Sequence, residues 1–169
     1  MKIKLEEYIR EDGANLYQTL FNGLDAQAAA KVTVAKARLE LDNTSNIEWF
    51  WGIGEYKARK KGMTLTRNFK QTVVERVQHD PDFAKALLDE AATLFLSGEP
   101  DAARLILRDL VNATVGFEHL SKLTHKPSKS LHRMLSPRGN PSMDNLAAIF
   151  AAIRGWLKVT FDVRVVETA

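Results

Sequence analysis

The sequence predicts a mainly α-helical protein: a helical bundle that contains a helix-turn-helix and ends in a strand, preceded by a small α+β unit. Three observations predict it. From Asn68 onward, apolar residues recur every three or four positions, which sets them on one side of a helix. These runs are punctuated by caps and breakers at Asp80-Pro81, Gly98, Pro100 and Ser142. Between Val115 and Ser142, two short amphipathic runs are divided by Pro127, which cannot continue a helix but can open one.

The elements follow in order. Ile3, Leu5 and Ile9 share one parity, which predicts an opening strand, with Glu7 interrupting the same face. Glu11-Asp12-Gly13 is a turn. Ala14–Asn22 reads as a helix with Leu16, Leu20 and Phe21 on one side, closed by Gly23. Asp25 caps the helix Ala26–Leu41, where Ala28, Val32, Ala35 and Leu39 form the expected buried stripe. After the polar turn Asp42–Asn46, Ile47–Tyr56 has room for one or two short strands. Its aromatics Trp49, Phe50, Trp51 and Tyr56 are expected to pack on neighbouring helices or a second chain; stacking on nucleic acid is the rarer alternative. The basic run Lys57, Arg59, Lys60 and Lys61 reads as a solvated linker before a phosphate site.

After Met63 the helices are plainer. Asn68–His79 turns Phe69, Val73 and Val77 inward. Pro81–Ser97 buries Phe83, Leu87, Ala91, Leu94 and Phe95. A helix from Pro100 to about Thr114 buries Ala103, Leu107, Leu110 and Val111. The helix-turn-helix places Phe117, Leu120 and Leu123 in its first helix and Leu131, Met134 and Leu135 in its second. A loop, Ser136–Pro141, leads to Ser142, which caps the helix Met143–Trp156 with Leu146, Ile149, Phe150 and Ile153 on its core side. Val159, Phe161, Val163 and Val165 alternate with polar residues, which predicts a final strand. Its partner is an N-terminal strand or its twin in a dimer.

The polar residues of the helix-turn-helix suit a nucleic acid. Lys126, Ser128, Lys129, Ser130, His132, Arg133, Arg138 and Asn140 follow the turn, and Glu118 is the sole acid from Val115 to Ser142. Ser128, Lys129, His132 and Arg133 lie where a recognition helix reads base edges. Lys126, Arg138 and backbone amides near Asn140 are placed for phosphates, which fix register. Paired amphipathic helices around a proline also occur in domains that never touch DNA, so the pattern by itself leaves both readings open. The rest of the composition excludes much else. There are no cysteines, so neither disulfides nor thiol catalysis are available and a cytoplasmic setting is unopposed. The net charge of +3 is mild, so local bias matters more than the total. No apolar run approaches the roughly 20 residues of a membrane span, and MKIKLEEYIRED lacks a signal-peptide core. His79, His119, His125 and His132 have no metal-ligand spacing, and Gly52 and Gly54 do not make a phosphate loop. A non-enzymatic protein without metal or cofactor is expected.

The run KSLHRMLSPRGNPSMDNLAAI resembles the antitoxins of HigB/HigA-type addiction modules, which carry a lambda-repressor-like helix-turn-helix. The similarity extends back through LRDLVNATVGFEHLSK, ERVQHDPDFAKALLDEA and TLTRNFKQTV, covering about Met63 to the C-terminus. Two positions depart from the broader repressor pattern: His125 stands where glycine is usual, and Lys126 where an apolar residue is usual. The first part is similar to the start of RelE/HigB-like toxins, through its opening strand, LYQTLFNGLD, AAAKVTVAKARLEL and GIGEYK. Such toxins are ribosome-dependent mRNA-cleaving enzymes. The resemblance ends before the strands that supply much of their active site, so no catalytic residue carries over.

The resemblance implies a truncated toxin fragment at 1–57, a linker at 58–63 and an antitoxin domain at 64–169, with the helix-turn-helix at 116–135. Toxin genes usually precede antitoxin genes in such modules, so a deletion or frameshift would give this order. The implied function is a sequence-specific DNA-binding antitoxin and autorepressor, a cytoplasmic homodimer on double-stranded operator DNA, with a HigB/RelE-like toxin as a further partner. Two alternatives stand beside it. One is an active mRNA interferase. The other is a module that binds a toxin through Asn68–Ser97 without touching DNA.

Overall fold

The computed structural model describes residues 6–41, 66–165 and 167. The aromatic segment at 47–56, the basic run, the linker at 58–63 and Met63 lie outside the described residues. The described chain is mainly helical. In order it forms β1 (Glu6–Tyr8), α1 (Leu16–Gly23), α2 (Ala26–Glu40), β2 (Thr66–Asn68), α3 (Phe69–His79), α4 (Pro81–Leu96), α5 (Pro100–Ala113), α6 (Phe117–Thr124), α7 (Ser128–Met134) and α8 (Met143–Leu157).

Local chemistry sets most boundaries. The side chains of Asn15, Asp25, Asn68, Asp80 and Ser142 each accept a hydrogen bond from a first-turn amide of α1, α2, α3, α4 and α8 respectively. Pro81 and Pro100 occupy first-turn positions, where a missing N–H costs nothing. No helix among the described residues is long and apolar enough to cross a membrane.

Helix α5 is the axis of the core. Ala103, Ile106, Leu107, Leu110 and Val111 are almost fully buried, as are Phe83, Leu87 and Ala91 of α4 and Phe69 and Val73 of α3. The same cluster takes in Phe21 of α1 and Ala29, Ala30, Val34 and Ala37 of α2. The helices on either side of the expected 58–63 linker therefore share one apolar core. Two polar ties reinforce this junction. Arg38 of α2 makes paired hydrogen bonds of 2.7 and 2.6 Å to Glu99, which holds the Glu99 carboxyl below its ordinary pKa. Buried Arg76 of α3 donates to the carbonyls of Phe21 and Leu24 and to the Asp80 carboxylate, with its guanidinium against the rings of Phe21 and Phe83.

The small sheet pairs β1 with β2 antiparallel, setting Glu7 opposite Arg67. The face carrying Glu7 points inward, as the strand parity predicts, so a carboxylate is buried with it. Asn15 and the Thr72 hydroxyl donate to that carboxylate. Nearby, the Lys36 ammonium sits 3.3 Å from the Tyr17 ring centroid, and burial lowers its pKa to about 8.

Three expectations are corrected. The C-terminal strand does not form: residues 159–165 are irregular. Lys158 adopts a left-handed conformation (φ 55°, ψ 45°) that turns the chain out of α8. No described strand runs beside the segment to pair its backbone. Phe161 instead rests edge-on against Phe150, and Val163 and Val165 are exposed. In α2 the buried stripe is Ala29, Ala30, Thr33, Val34 and Ala37, not Ala28, Val32, Ala35 and Leu39. Alanines lie on both sides of α2, so its own composition does not choose the inward side; its packing against α4 and α5 does. In α1, Leu16 and Leu20 are exposed while Phe21 is buried, because α1 anchors through its last turn, where Arg76 holds it.

Candidate nucleic-acid interface

Helix α6 begins at Gly116, whose φ of 71° and ψ of 150° suit glycine alone. Phe117 and Leu120 then point into the core, whereas Leu123 is 51 % exposed on the side facing α8. His125, the residue that stands in place of the usual glycine, ends α6 in the left-handed conformation (φ 52°, ψ 33°) that glycine would adopt. The turn is fixed by neighbours: the Lys126 amide donates to the Ser121 carbonyl, and the Ser121 hydroxyl donates to the Lys126 carbonyl at 2.6 Å. Pro127 then opens α7, its carbonyl accepting from the amides of Ser130 and Leu131.

Helix α7 is amphipathic in a way that sorts its side chains. Leu131 and Leu135 are buried and Met134 is half-buried. Lys129 and Arg133, four apart and so on one side, are exposed, as are Lys126, Arg138 and Asn140 at its two flanks. Ser128 and Ser130 are partly covered. His132 differs from its expected role. Its imidazole stacks on Phe117, with ring centroids 3.6 Å apart, which fastens α7 to α6 rather than presenting a free base-reading group.

The far end of α7 is clamped by α5. Arg104, buried, donates to the carbonyls of Ser136 (3.3 Å) and Pro137 (3.2 Å) and pairs with Asp101. Arg108 donates to the His132 carbonyl at 3.4 Å. Gly139 closes the loop against the helix end. A Cβ there would lie 2.6 Å from the Arg133 carbonyl oxygen and still nearer that of Met134, so no larger residue fits without moving backbone. Gly139→Ala is therefore expected to destabilise the protein by about 1–3 kcal/mol, read as a lowered urea midpoint at unchanged m-value.

Lys122 adds another exposed cation on α6. From His119 through Met143 the sequence carries no acidic residue. None of Lys122, Lys126, Lys129, Arg133 and Arg138 pairs with a carboxylate among the described residues. The surface can thus offer Lys and Arg donors to phosphates and base edges without a local counter-charge. Among the described residues, no three His, Asp or Glu side chains gather as metal ligands.

Sequence reasoning missed Arg104, Arg108 and Asp109. They sit inside an apolar helical run, where charge gives no cue to the side it faces. Asp109 is 8 % exposed, and burial pushes its carboxyl up to about 6, although Lys70 of α3 and Arg108 oppose the rise and Glu40 of α2 adds to it. The sign is that of a buried acid. Folding favours its protonated form, so its contribution is fully present below the unfolded pKa of 3.8 and is lost as pH rises through about 6. Asp109→Asn is expected to leave stability unchanged near pH 3.5. Near pH 8 it should raise stability by up to about 3 kcal/mol, at about 1.4 kcal/mol per pH unit, as urea unfolding at the two pH values will show.

Compared with known proteins, the chain matches no family model, no curated protein and no solved structure.

Proposed function

We propose that the chain is a sequence-specific DNA-binding regulator, the antitoxin and autorepressor of an addiction module, in which α6 and α7 form a helix-turn-helix and α7 enters the major groove. One observation carries this reading. The outward side of α7 and its flanks expose Lys126, Lys129, Arg133 and Arg138, with no acid between Glu118 and Asp144. Lys129 and Arg133 are assigned to base edges with Ser128, and Lys126, Arg138 and the backbone near Asn140 to phosphates. His132 acts from the second rank by holding α7 against Phe117. The left-handed His125 supports the same reading, since it gives the turn the conformation that this motif takes with glycine.

Two copies would occupy an inverted repeat with half-sites about 34 Å apart. The role is one of binding and needs no catalytic group, metal or cofactor. A mobility-shift assay against the DNA upstream of the chain's own gene tests it. The expected result is a complex at least about 10³-fold tighter than that with a scrambled duplex. Equal affinity for both duplexes would contradict sequence-specific regulation.

A further inference from the structure

Helix α8 is covered on one side and open on another. Ile149 and Ile153 are fully buried, and Phe150 packs edge-on against Phe95 of α4. Towards α6, Ala148, Ala151, Ala152, Gly155 and Trp156 line a groove of about 510 Å³ together with Leu123. Two large apolar side chains stand at the surface there: Leu123 is 51 % exposed and Trp156 54 %, although the His119 ring meets Trp156 edge-on. Apolar side chains exposed side by side, rather than singly, mark a surface that another molecule covers. Gly155 adds to this. A Cβ there would meet nothing within 4 Å, so nothing inside the chain requires a glycine, while glycine in place of alanine costs a helix about 1 kcal/mol. A glycine on an open side of a helix suits the close approach of a second backbone.

The charges at the two ends of α8 select the occupant. Asp144 lies in the first turn, four residues before Ala148 and so on the groove side, whereas Arg154 lies in the last turn and Lys158 just beyond it. All three are exposed, and none pairs with an opposite charge among the described residues. A surface of one sign would be opposed at one end. A second α8 laid antiparallel meets base with acid at both ends. We propose that two copies of the chain pair through this face, α8 against α8, about a two-fold axis between Ala151 and Ala152. Gly155 of one copy then lies opposite the partner's Ala148, each Trp156 enters the partner's groove, and each Asp144 comes to the partner's Lys158. The helix has 15 residues and is about 22 Å long, so the face is short and a Kd of about 1–100 µM is expected. The pairing supplies the two copies that an inverted repeat needs, yet no step of the argument depends on DNA.

Sedimentation equilibrium of the full chain without DNA is the test, with thermal unfolding as the control for folding. The parent is expected to show a monomer–dimer equilibrium in the micromolar range. Ala151→Glu alters an exposed position and sets two carboxylates beside the axis, so it is expected to fold as the parent does and to associate at least about tenfold more weakly. Asp144→Lys sets cation against cation at both ends of the pair, and Lys158→Asp sets acid against acid; aspartate accepts the left-handed conformation of position 158. Each variant alone is expected to dimerise at least about fivefold more weakly than the parent. Mixed together they restore both opposite-charge pairs, so the mixture is expected to form a heterodimer within about threefold of the parent affinity. Three results would each overturn the assignment: the parent stays monomeric up to about tenfold above the expected range, Ala151→Glu associates as the parent does, or the mixture associates no better than either charge variant alone. Loss of this pairing would leave the role given to α7 to be judged by its own mobility shift.

Discussion

Replacing Lys129 and Arg133 together by alanine is expected to abolish preferential binding to the upstream DNA while leaving the fold intact. A good side-chain contact to a base edge is worth about 1–3 kcal/mol, so the pair is worth about 2–6 kcal/mol, or roughly 30-fold to 10⁴-fold in affinity. Both residues are exposed, and neither pairs with a described carboxylate, so their loss should change stability by less than about 0.5 kcal/mol. Fluorescence anisotropy on specific and scrambled duplexes, with thermal unfolding as the control, measures both quantities. Lys126→Ala and Arg138→Ala should behave differently. As phosphate contacts they should weaken all sequences alike and flatten the salt dependence by about one contact each. Unchanged discrimination in the double variant would remove α7 from the interface.

Arg76→Ala has the largest expected effect on stability, a loss of about 3–5 kcal/mol in urea unfolding. Three costs combine. The carbonyls of Phe21 and Leu24 lose their donor at the end of α1. Asp80 loses its ion-pair partner, though it continues to cap α4 through the Phe83 amide. The space beside the touching Phe21 and Phe83 rings, where the guanidinium packs, is left empty. Arg76→Lys should recover only part of this, because an ammonium cannot span two carbonyls and a carboxylate in the planar fork that the guanidinium provides. A loss below about 1 kcal/mol for Arg76→Ala would mean that α1 is held by other contacts.

The helices were legible in the sequence where the signal is local. Asp25, Asp80-Pro81, Pro100 and Ser142 marked starts that the structure reproduces within a residue or two, because a cap depends only on amides three positions away. The inward sides of α3, α4, α5 and α8 were legible too, since large apolar residues such as Phe69, Phe83, Leu107 and Ile149 leave little choice of side. Helix α2 was not, because its alanines mark neither side and the choice is made by distant partners. The sheet between β1 and β2 joins residues some sixty positions apart and has no local signature. The final segment shows the converse failure. Its alternation is genuine strand patterning, but a strand also needs a neighbour, and none of the described strands lies beside it.

In the candidate interface, exposure of Lys129 and Arg133 followed from helical spacing, while Lys126, Arg138 and Asn140 are exposed in the turn and loop that flank α7. The stacking of His132 on Phe117 did not, since it depends on how α7 crosses α6. The hold of Arg104 and Arg108 on the end of α7 is likewise a matter of tertiary geometry, because each guanidinium and the backbone carbonyl it reaches lie more than twenty residues apart.

The central claim is that one surface, from Lys126 to Asn140, meets DNA. Amide hydrogen exchange of the full chain with and without its upstream duplex tests that claim most directly. The account predicts slowed exchange concentrated in the turn, α7 and the loop through Asn140, with little change in α3 and α4. Protection confined to α1 and α2, or none anywhere at saturating duplex, would contradict it.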